Sequence, residues 1–366
     1  MELIRSYLSN RKQFVAFGSA ESSQKGNDIG VPQGSVLGPL FFVIYINDLP
    51  NASLVLEDIL FADDTNNFAS DKSSDELYKR VSSDLDKLST RFSHNKLTLN
   101  QAKTEYIDFS KHKYKENREQ TLQINGEAIS RVDETKFLGV YLDKRLTWRT
   151  HIEKVITKIS QTVGIISRAR SFMETHQLAQ LYNTMVLPHL QYCLINWGNF
   201  KNDRNLSYRN RILTLQKRFL RIIHKAHPIS HSDPLFTYSQ DLKIDDLFDQ
   251  TVRIFAYQLM HEKLPLSMST LFHKVTHSHH TRGAPLNLHS RHSDHRSIKS
   301  TALTHWNPLP KTLKQLPSVS SFKRHSKIGL LAPYSTFSCN IRNCPSCLKT
   351  SYSLRTSSPS NLHHNS

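Results

Sequence analysis

In the first part of the chain, apolar residues come in short runs broken by turn residues; beyond residue 150 they recur at helical spacing. Residues 40–46 are an unbroken apolar run after Pro39, which predicts a buried helix. Asp58-Ile59-Leu60 leads into Phe61-Ala62-Asp63-Asp64, and polar Thr65-Asn66-Asn67 leads out, so a strand entering a tight hairpin turn is expected. Ser73-Ser74-Asp75-Glu76 has the form of a capping box, and Leu77, Val81, Leu85, Leu88 and Phe92 then share one helical face. That stripe reads as core packing. Around Gly139, residues 136–143 alternate bulky side chains, which suits a second hairpin.

Further on, Thr150 and Glu153 form another capping-box pattern ahead of Ile152, Val155, Ile159, Val163 and Ile166. A second helix is expected over Leu178, Leu181, Tyr182 and Met185, stopping before Pro188. A third carries Ile212, Leu215, Phe219 and Ile222, interleaved with Arg209, Arg211, Lys217, Arg218, Arg221 and Lys225. Mixed elements followed by helices predict an α+β chain.

Charge divides along the same line. Of 48 basic and 31 acidic residues, residues 1–200 hold 24 and 23, whereas residues 201–366 hold 24 and 8. The excess therefore lies in the C-terminal part, where it points to a polyanionic partner. Length and pattern suggest a mixed domain over 1–145, a helical region over 146–260 and a basic, His-rich region over 261–366. Four cysteines in 366 residues do not make a disulfide framework, and no run is apolar enough for a membrane span or a secretion signal. An intracellular protein, nuclear or cytoplasmic, is expected.

Two segments carry candidate chemistry. Gly30-Val31-Pro32-Gln33-Gly34-Ser35 is a Gly/Pro loop whose backbone can approach a ligand, with Gln33 offering both a donor and an acceptor. Asp63 and Asp64 repel one another unless cations lie beside them, and Mg²⁺ favours carboxylate and phosphate oxygens. A turn rich in Asp is the structural alternative. The loop, the Phe61-Ala62-Asp63-Asp64 string and their spacing together resemble motifs B and C of the reverse transcriptases of non-LTR (LINE-type) retrotransposons.

The resemblance implies an incomplete right-hand palm, with an antiparallel sheet and packed helices, then a helical thumb. It implies an RNA template, a DNA primer, RNA–DNA hybrid and dNTP as partners, and Mg²⁺ or Mn²⁺ as cofactor. Asp63 and Asp64 would be the metal ligands, Gln33, Gly34 and Ser35 the dNTP and template contacts, and Lys103 the residue near the leaving group. Phe137, Leu138 and Gly139 match the primer grip. Arg211, Lys217, Arg218 and Arg221 would follow the nucleic-acid backbone.

A further catalytic Asp, motif A, stands in the family before a Trp-x-x-Ser-Tyr-Leu-Ser-Asn-Arg stretch, and residues 5–11 already resemble the end of that stretch. Glu2, Glu21 and Asp28, the acids before Gly30, have no apolar strand context. The expectation is a polymerase by lineage that is inactive alone, or else a domesticated or remnant nucleic-acid-binding protein. In the tail, Cys339, Cys344 and Cys347 with His363 and His364 could supply a zinc site. The eight histidines between residues 273 and 305 read as polar surface, and Trp306-Asn307-Pro308-Leu309-Pro310 as structural.

Overall fold

The computed structural model describes residues 2–27, 30–53, 55–109, 121–200, 205–269, 272–274, 287–289 and 297–335. The chain forms two compact units, Met1–Thr135 and Lys136–Ser366. The mixed α+β class is observed.

The first unit runs α1 (Glu2–Leu8), β1 (Lys12–Gln13), β2 (Ala16–Phe17), β3 (Ala20–Glu21), β4 (Lys25–Gly26), α2 (Leu37–Ile46), β5 (Glu57–Phe61), β6 (Asp64–Phe68), α3 (Ser74–His94), β7 (Glu105–Tyr106), β8 (Gln123–Ile124), β9 (Glu127–Ala128) and β10 (Ser130–Arg131). Among the described residues its strands pair only in twos. Among the described residues the expected palm sheet is thus not seen, and the longest pairing is the β5–β6 hairpin, from Glu57↔Phe68 to Phe61↔Asp64.

Helix α3 starts as its capping box predicts, with Ser73 Oγ accepting the Glu76 amide at 3.5 Å. Its stripe supplies Val81 and Leu88 to a small core with Ile46, Leu49 and Leu56. Asp84 lies on that same buried stripe. Burial alone would raise its pKa, but hydrogen bonds from Lys87 Nζ, Ser53 Oγ and the Val55 amide outweigh it and hold the carboxyl below the ordinary range.

The expectation of a buried helix after Pro39 is corrected. Helix α2 forms, but only Gly38 and Ile46 are buried, while Val43 and Ile44 are more than half exposed. A helix apolar all round needs cover on every side, and this small core covers one.

The second unit begins within β11 (Glu134–Phe137), which pairs with β12 (Val140–Asp143). Then come α4 (Arg149–Ala169), α5 (Thr175–Met185), α6 (Leu187–Gln191), α7 (Leu194–Trp197), α8 (Leu206–Ile223), α9 (Asp233–Ser239), α10 (Ile244–Met260), α11 (Leu266–Ser269), β13 (His273–Lys274), β14 (Leu288–His289), α12 (Ile298–Trp306), α13 (Lys311–Lys314) and α14 (Val319–Ser335). One core holds Ile152, Ile159 and Ile166 of α4, Phe219 of α8, Phe236 of α9, Tyr257 of α10, Trp306 of α12 and Phe322 of α14. Helices on both sides of residue 260 thus share a single interior.

Thr150 does not cap α4. The helix begins at Arg149, and the amides of Thr147 and Trp148 instead donate to Asp143 Oδ2, each at 2.9 Å. Asp143 ends β12, so one carboxylate joins the hairpin to the helix. Trp306 is fully buried, and the Asn307 side chain bonds both polar groups of the Leu288 backbone, which makes the Trp306–Asn307 pair structural.

Asp241, between α9 and α10, has its pKa pushed up to about 6, chiefly by burial and against the pull of Lys327. The folded state then binds its proton more tightly than the unfolded chain does. Ionisation costs stability fully above pH 6, and the cost disappears below the ordinary value of 3.8. Asp241→Asn is expected to stabilise the protein by about 2 kcal/mol at pH 7.5. Urea midpoints at pH 7.5 and pH 4 check this; a gain of equal size at both would disprove the linkage.

Candidate active site and nucleic-acid interface

The loop over residues 30–35 turns on its glycines. Gly30 and Gly34 have φ of 73° and 80°, and the Ser35 amide closes a turn onto the Pro32 carbonyl at 3.4 Å. A positive φ at the third turn position is what glycine permits without a Cβ clash. Gln33 and Gly34 are exposed at the bend. Ser35 faces inward: its Oγ accepts the Gly38 amide at 3.0 Å, satisfying the start of α2, and also bonds the Tyr7 hydroxyl. A Cβ on Gly38 would meet Ser35 Oγ at 3.0 Å, so the loop and the first turn of α2 are closely fitted.

Asp63 and Asp64 stand at the tip of β5–β6, where Ala62 adopts a left-handed φ of 52°. Both are exposed, and neither carboxylate has an ion-pair or hydrogen-bond partner among the described residues. Asp64 shares the outward face of the hairpin with Ile59, Phe61 and Phe68, all exposed. On the opposite face Asn67 donates to Asp58, whose Oδ2 is buried without a partner and whose pKa burial raises. Lys103 closes the short 3₁₀ turn Gln101–Lys103 ahead of β7 and is exposed. No hydrogen bond or ion pair joins Asp63 or Asp64 to Lys103 or to residues 33–35.

Two adjacent carboxylates are too few for a pair of divalent cations, which need bridging donors on both sides. Among the described residues no group of three or more His, Cys, Asp or Glu side chains could hold a metal ion. These residues therefore do not by themselves fit a two-metal site. Cys339, Cys344, Cys347, His363 and His364 lie outside the described residues, as do most of the clustered histidines.

The remaining predicted residues belong to the second unit. Leu138 and Gly139 form the tip between β11 and β12, with φ of 43° and 86°. Leucine pays for that conformation, and the structure supplies a clasp: the Tyr192 hydroxyl donates to the Leu138 carbonyl at 2.5 Å. The Tyr192 ring lies 3.4 Å from where a Cβ on Gly139 would stand, an ordinary contact distance, so glycine is favoured there by its positive φ. Tyr192 reaches the tip across 54 residues, so no local pattern in the sequence points to this contact.

On α8 the basic residues have different jobs. Arg211 and Arg218 are exposed, and so is Lys225 just past the helix end. Positions 211, 218 and 221 fall on one helical stripe, and Lys225 follows the helix end in a left-handed conformation with φ of 50°. Arg221 sits in that stripe with its Nε donating to the Ser230 carbonyl at 2.9 Å. Lys217 is half-buried, and burial lowers its pKa against the pull of Asp233. Arg209 faces α10, where its Nε reaches Asp245 Oδ1 at 2.7 Å and its Nη2 reaches Oδ2 at 2.6 Å. No helix among the described residues is long and apolar enough to cross a membrane.

Residues 1–142 match the model of the family described as reverse transcriptase (RNA-dependent DNA polymerase). The chain is 27% identical over 263 residues to a probable RNA-directed DNA polymerase from transposon X-element of Drosophila melanogaster, covering 68% of this chain and 27% of that protein. It is 28% identical to the RNA-directed DNA polymerase from mobile element jockey of Drosophila funebris, over 67% of this chain and 26% of the relative. For the jockey polymerase of Drosophila melanogaster the figures are 28%, 75% and 30%. The chain thus spans under a third of the length of these curated relatives. Residues 1–142 are thus similar to reverse transcriptases, and the chain is similar to RNA-directed DNA polymerases of mobile elements.

Proposed function

We propose that this chain is the part of an RNA-directed DNA polymerase that carries motifs B and C, the primer grip, a thumb and a basic C-terminal region, and that its own activity is to hold template and primer. The observation that carries this reading is the Asp63–Asp64 hairpin tip in the same unit as the Gln33–Gly34 turn, within the residues that match the polymerase family. Asp63 and Asp64 would supply two carboxylates toward Mg²⁺ or Mn²⁺ only where further donors join them. Gln33 and Gly34 present side-chain and backbone polar groups to a nucleotide, and Ser35 keeps that turn in register with α2. Lys103 stands ready to donate a proton near the departing pyrophosphate. The hairpin tip of Phe137, Leu138 and Gly139, clasped by Tyr192, presents backbone to the primer, and the stripe on α8 follows phosphates.

The shortage of donors around Asp63 and Asp64 gives the reading its test. The purified 366-residue chain is expected to show no extension of a DNA primer on an RNA template with either Mg²⁺ or Mn²⁺. It is expected to bind an RNA–DNA hybrid in a salt-sensitive manner. Extension that disappears in Asp63→Ala would show that the chain is catalytically sufficient. Absence of hybrid binding would remove the template-holding role. A second reading, a nucleic-acid-binding protein without catalysis, rests on the same donor shortage and the basic charge of residues 201–366. Adding a protein segment that restores extension would exclude it.

A further inference from the structure

At the C-terminal end of the α8 stripe the surface changes from purely basic to basic and aromatic. The His224 and Tyr238 rings meet edge to face, 5.1 Å apart with an interplanar angle of 83°. His224 Nε2 is 2.5 Å from Ser239 Oγ, so the residue after Tyr238 is tied to the same imidazole. That fixes the ring on α9 against the last turn of α8. Tyr238 is nevertheless 69% exposed. It has no hydrogen bond among the described residues.

Around it the charge has one sign along the stripe. Arg218 and Lys225 are exposed and have no acidic partner among the described residues. Arg221 is held between them by the Ser230 carbonyl, in a loop that also exposes Ile229. The nearest acid of α9, Asp233, is already paired with Lys243 at 3.0 Å. A single exposed tyrosine on a protein surface means little. A tyrosine braced by a neighbouring ring, at the end of a row of unpaired cations, has the composition of a stacking platform for single-stranded nucleic acid.

We propose that Tyr238 is a base-stacking residue: an unpaired nucleotide of a single-stranded stretch lies on its exposed face while the adjoining backbone follows Lys225 and Arg218. The reading rests on the nucleic-acid role proposed above and names the strand it takes there. Sequence tolerance follows, because every base has a π face. The tyrosine contributes through contact with the base, whereas the cations contribute through phosphate. The two contributions can therefore be separated with a strand that lacks bases.

The test uses the full chain and four probes: twelve-residue oligo(dT) and oligo(U), and abasic twelve-mers with the same two backbones. Tyr238→Ala is expected to weaken binding of oligo(dT) or oligo(U) about tenfold while leaving the matching abasic probe unchanged. Loss on one base-bearing probe only assigns the platform to DNA or RNA. Tyr238→Phe is expected to bind as the parent chain does. Arg218→Glu with Lys225→Glu is expected to weaken base-bearing and abasic probes alike. Equal affinity of Tyr238→Ala and the parent on both base-bearing probes would overturn the platform while leaving the backbone interface intact. Equal losses of Tyr238→Ala on base-bearing and abasic probes would overturn it too. A parent chain that binds none of the four probes would overturn the platform, and one that also fails to bind an RNA–DNA hybrid would overturn the nucleic-acid reading itself.

Discussion

Trp306→Ala is expected to cost the second unit about 3–5 kcal/mol, the largest stability loss of any single substitution considered for this chain. Trp306 is fully buried at the end of α12. Its ring packs 6.4 Å from Tyr257 of α10 and 6.0 Å from Phe322 of α14, so three helices meet on one side chain. It also faces a buried cation: Lys314 Nζ lies 5.5 Å from the ring centroid and donates to Asn287 Oδ1 at 3.0 Å and the Asn307 carbonyl at 2.9 Å. Removing the indole leaves a cavity and strips apolar and cation–π cover from that ammonium. Urea unfolding followed by far-ultraviolet circular dichroism measures the loss. Trp306→Phe should retain a large part of the stability, since it keeps a ring at the junction. A loss under about 1 kcal/mol for the alanine variant would mean that α12 does not anchor α10 and α14.

Reversing three charges on α8 and just past its end is expected to have the largest effect on binding. Arg211→Glu, Arg218→Glu and Lys225→Glu together replace exposed cations with anions while leaving the buried face of α8 unchanged. Affinity for an RNA–DNA hybrid should fall at least about a hundredfold at 0.15 M salt, and the slope of log K against log salt should shrink by about 2 to 3. Fluorescence anisotropy titrations at several salt concentrations measure both quantities. Matched reversals at Lys311 on α13 and at Lys323 and Arg324 on α14, all exposed, serve as the comparison, because they change net charge equally on other helices. Equal losses in both variants would mean that net charge alone drives binding and that α8 holds no special position. Deleting residues 201–366 is the poorer experiment: the core runs from Ile152 to Tyr334, so the deletion would unfold what remains.

Much of the local structure was legible in the residues. The spacing of Leu77, Val81, Leu85, Leu88 and Phe92, with Ser73 ahead of it, predicted α3 and its buried side. Asp58 to Asn67 predicted a hairpin with Asp63 and Asp64 at its tip, because an apolar run closed by polar turn residues has few other solutions. Periodicity also placed α4, α5 and α8. The burial of α2 was misjudged because hydrophobicity says what a helix would bury, and only its neighbours decide how much cover it receives. Capping of α4 was misplaced for a similar reason: a Thr-x-x-Glu pattern competed with Asp143, whose carboxylate reaches two amides at once.

The basic helix shows the same division at the candidate interface. Composition said that α8 was rich in Arg and Lys, and could not sort them. Arg209 pairs with Asp245, Arg221 holds the Ser230 carbonyl, and Lys217 is half-buried, so the outward row is Arg211, Arg218 and Lys225. Each assignment depends on a residue distant in sequence. Tyr192 on Leu138 and Tyr238 on His224 are contacts of the same kind.

What the linear chain determined by itself was the resemblance of the Asp63–Asp64 turn and Gln33 loop to reverse-transcriptase motifs, the helical pattern beyond residue 150, and the concentration of positive charge after residue 200. All three depend on neighbours in sequence, through periodicity, turn chemistry and composition. Which side chains remain free for a ligand was decided only by the tertiary structure, because burial and pairing depend on what folds back against each residue.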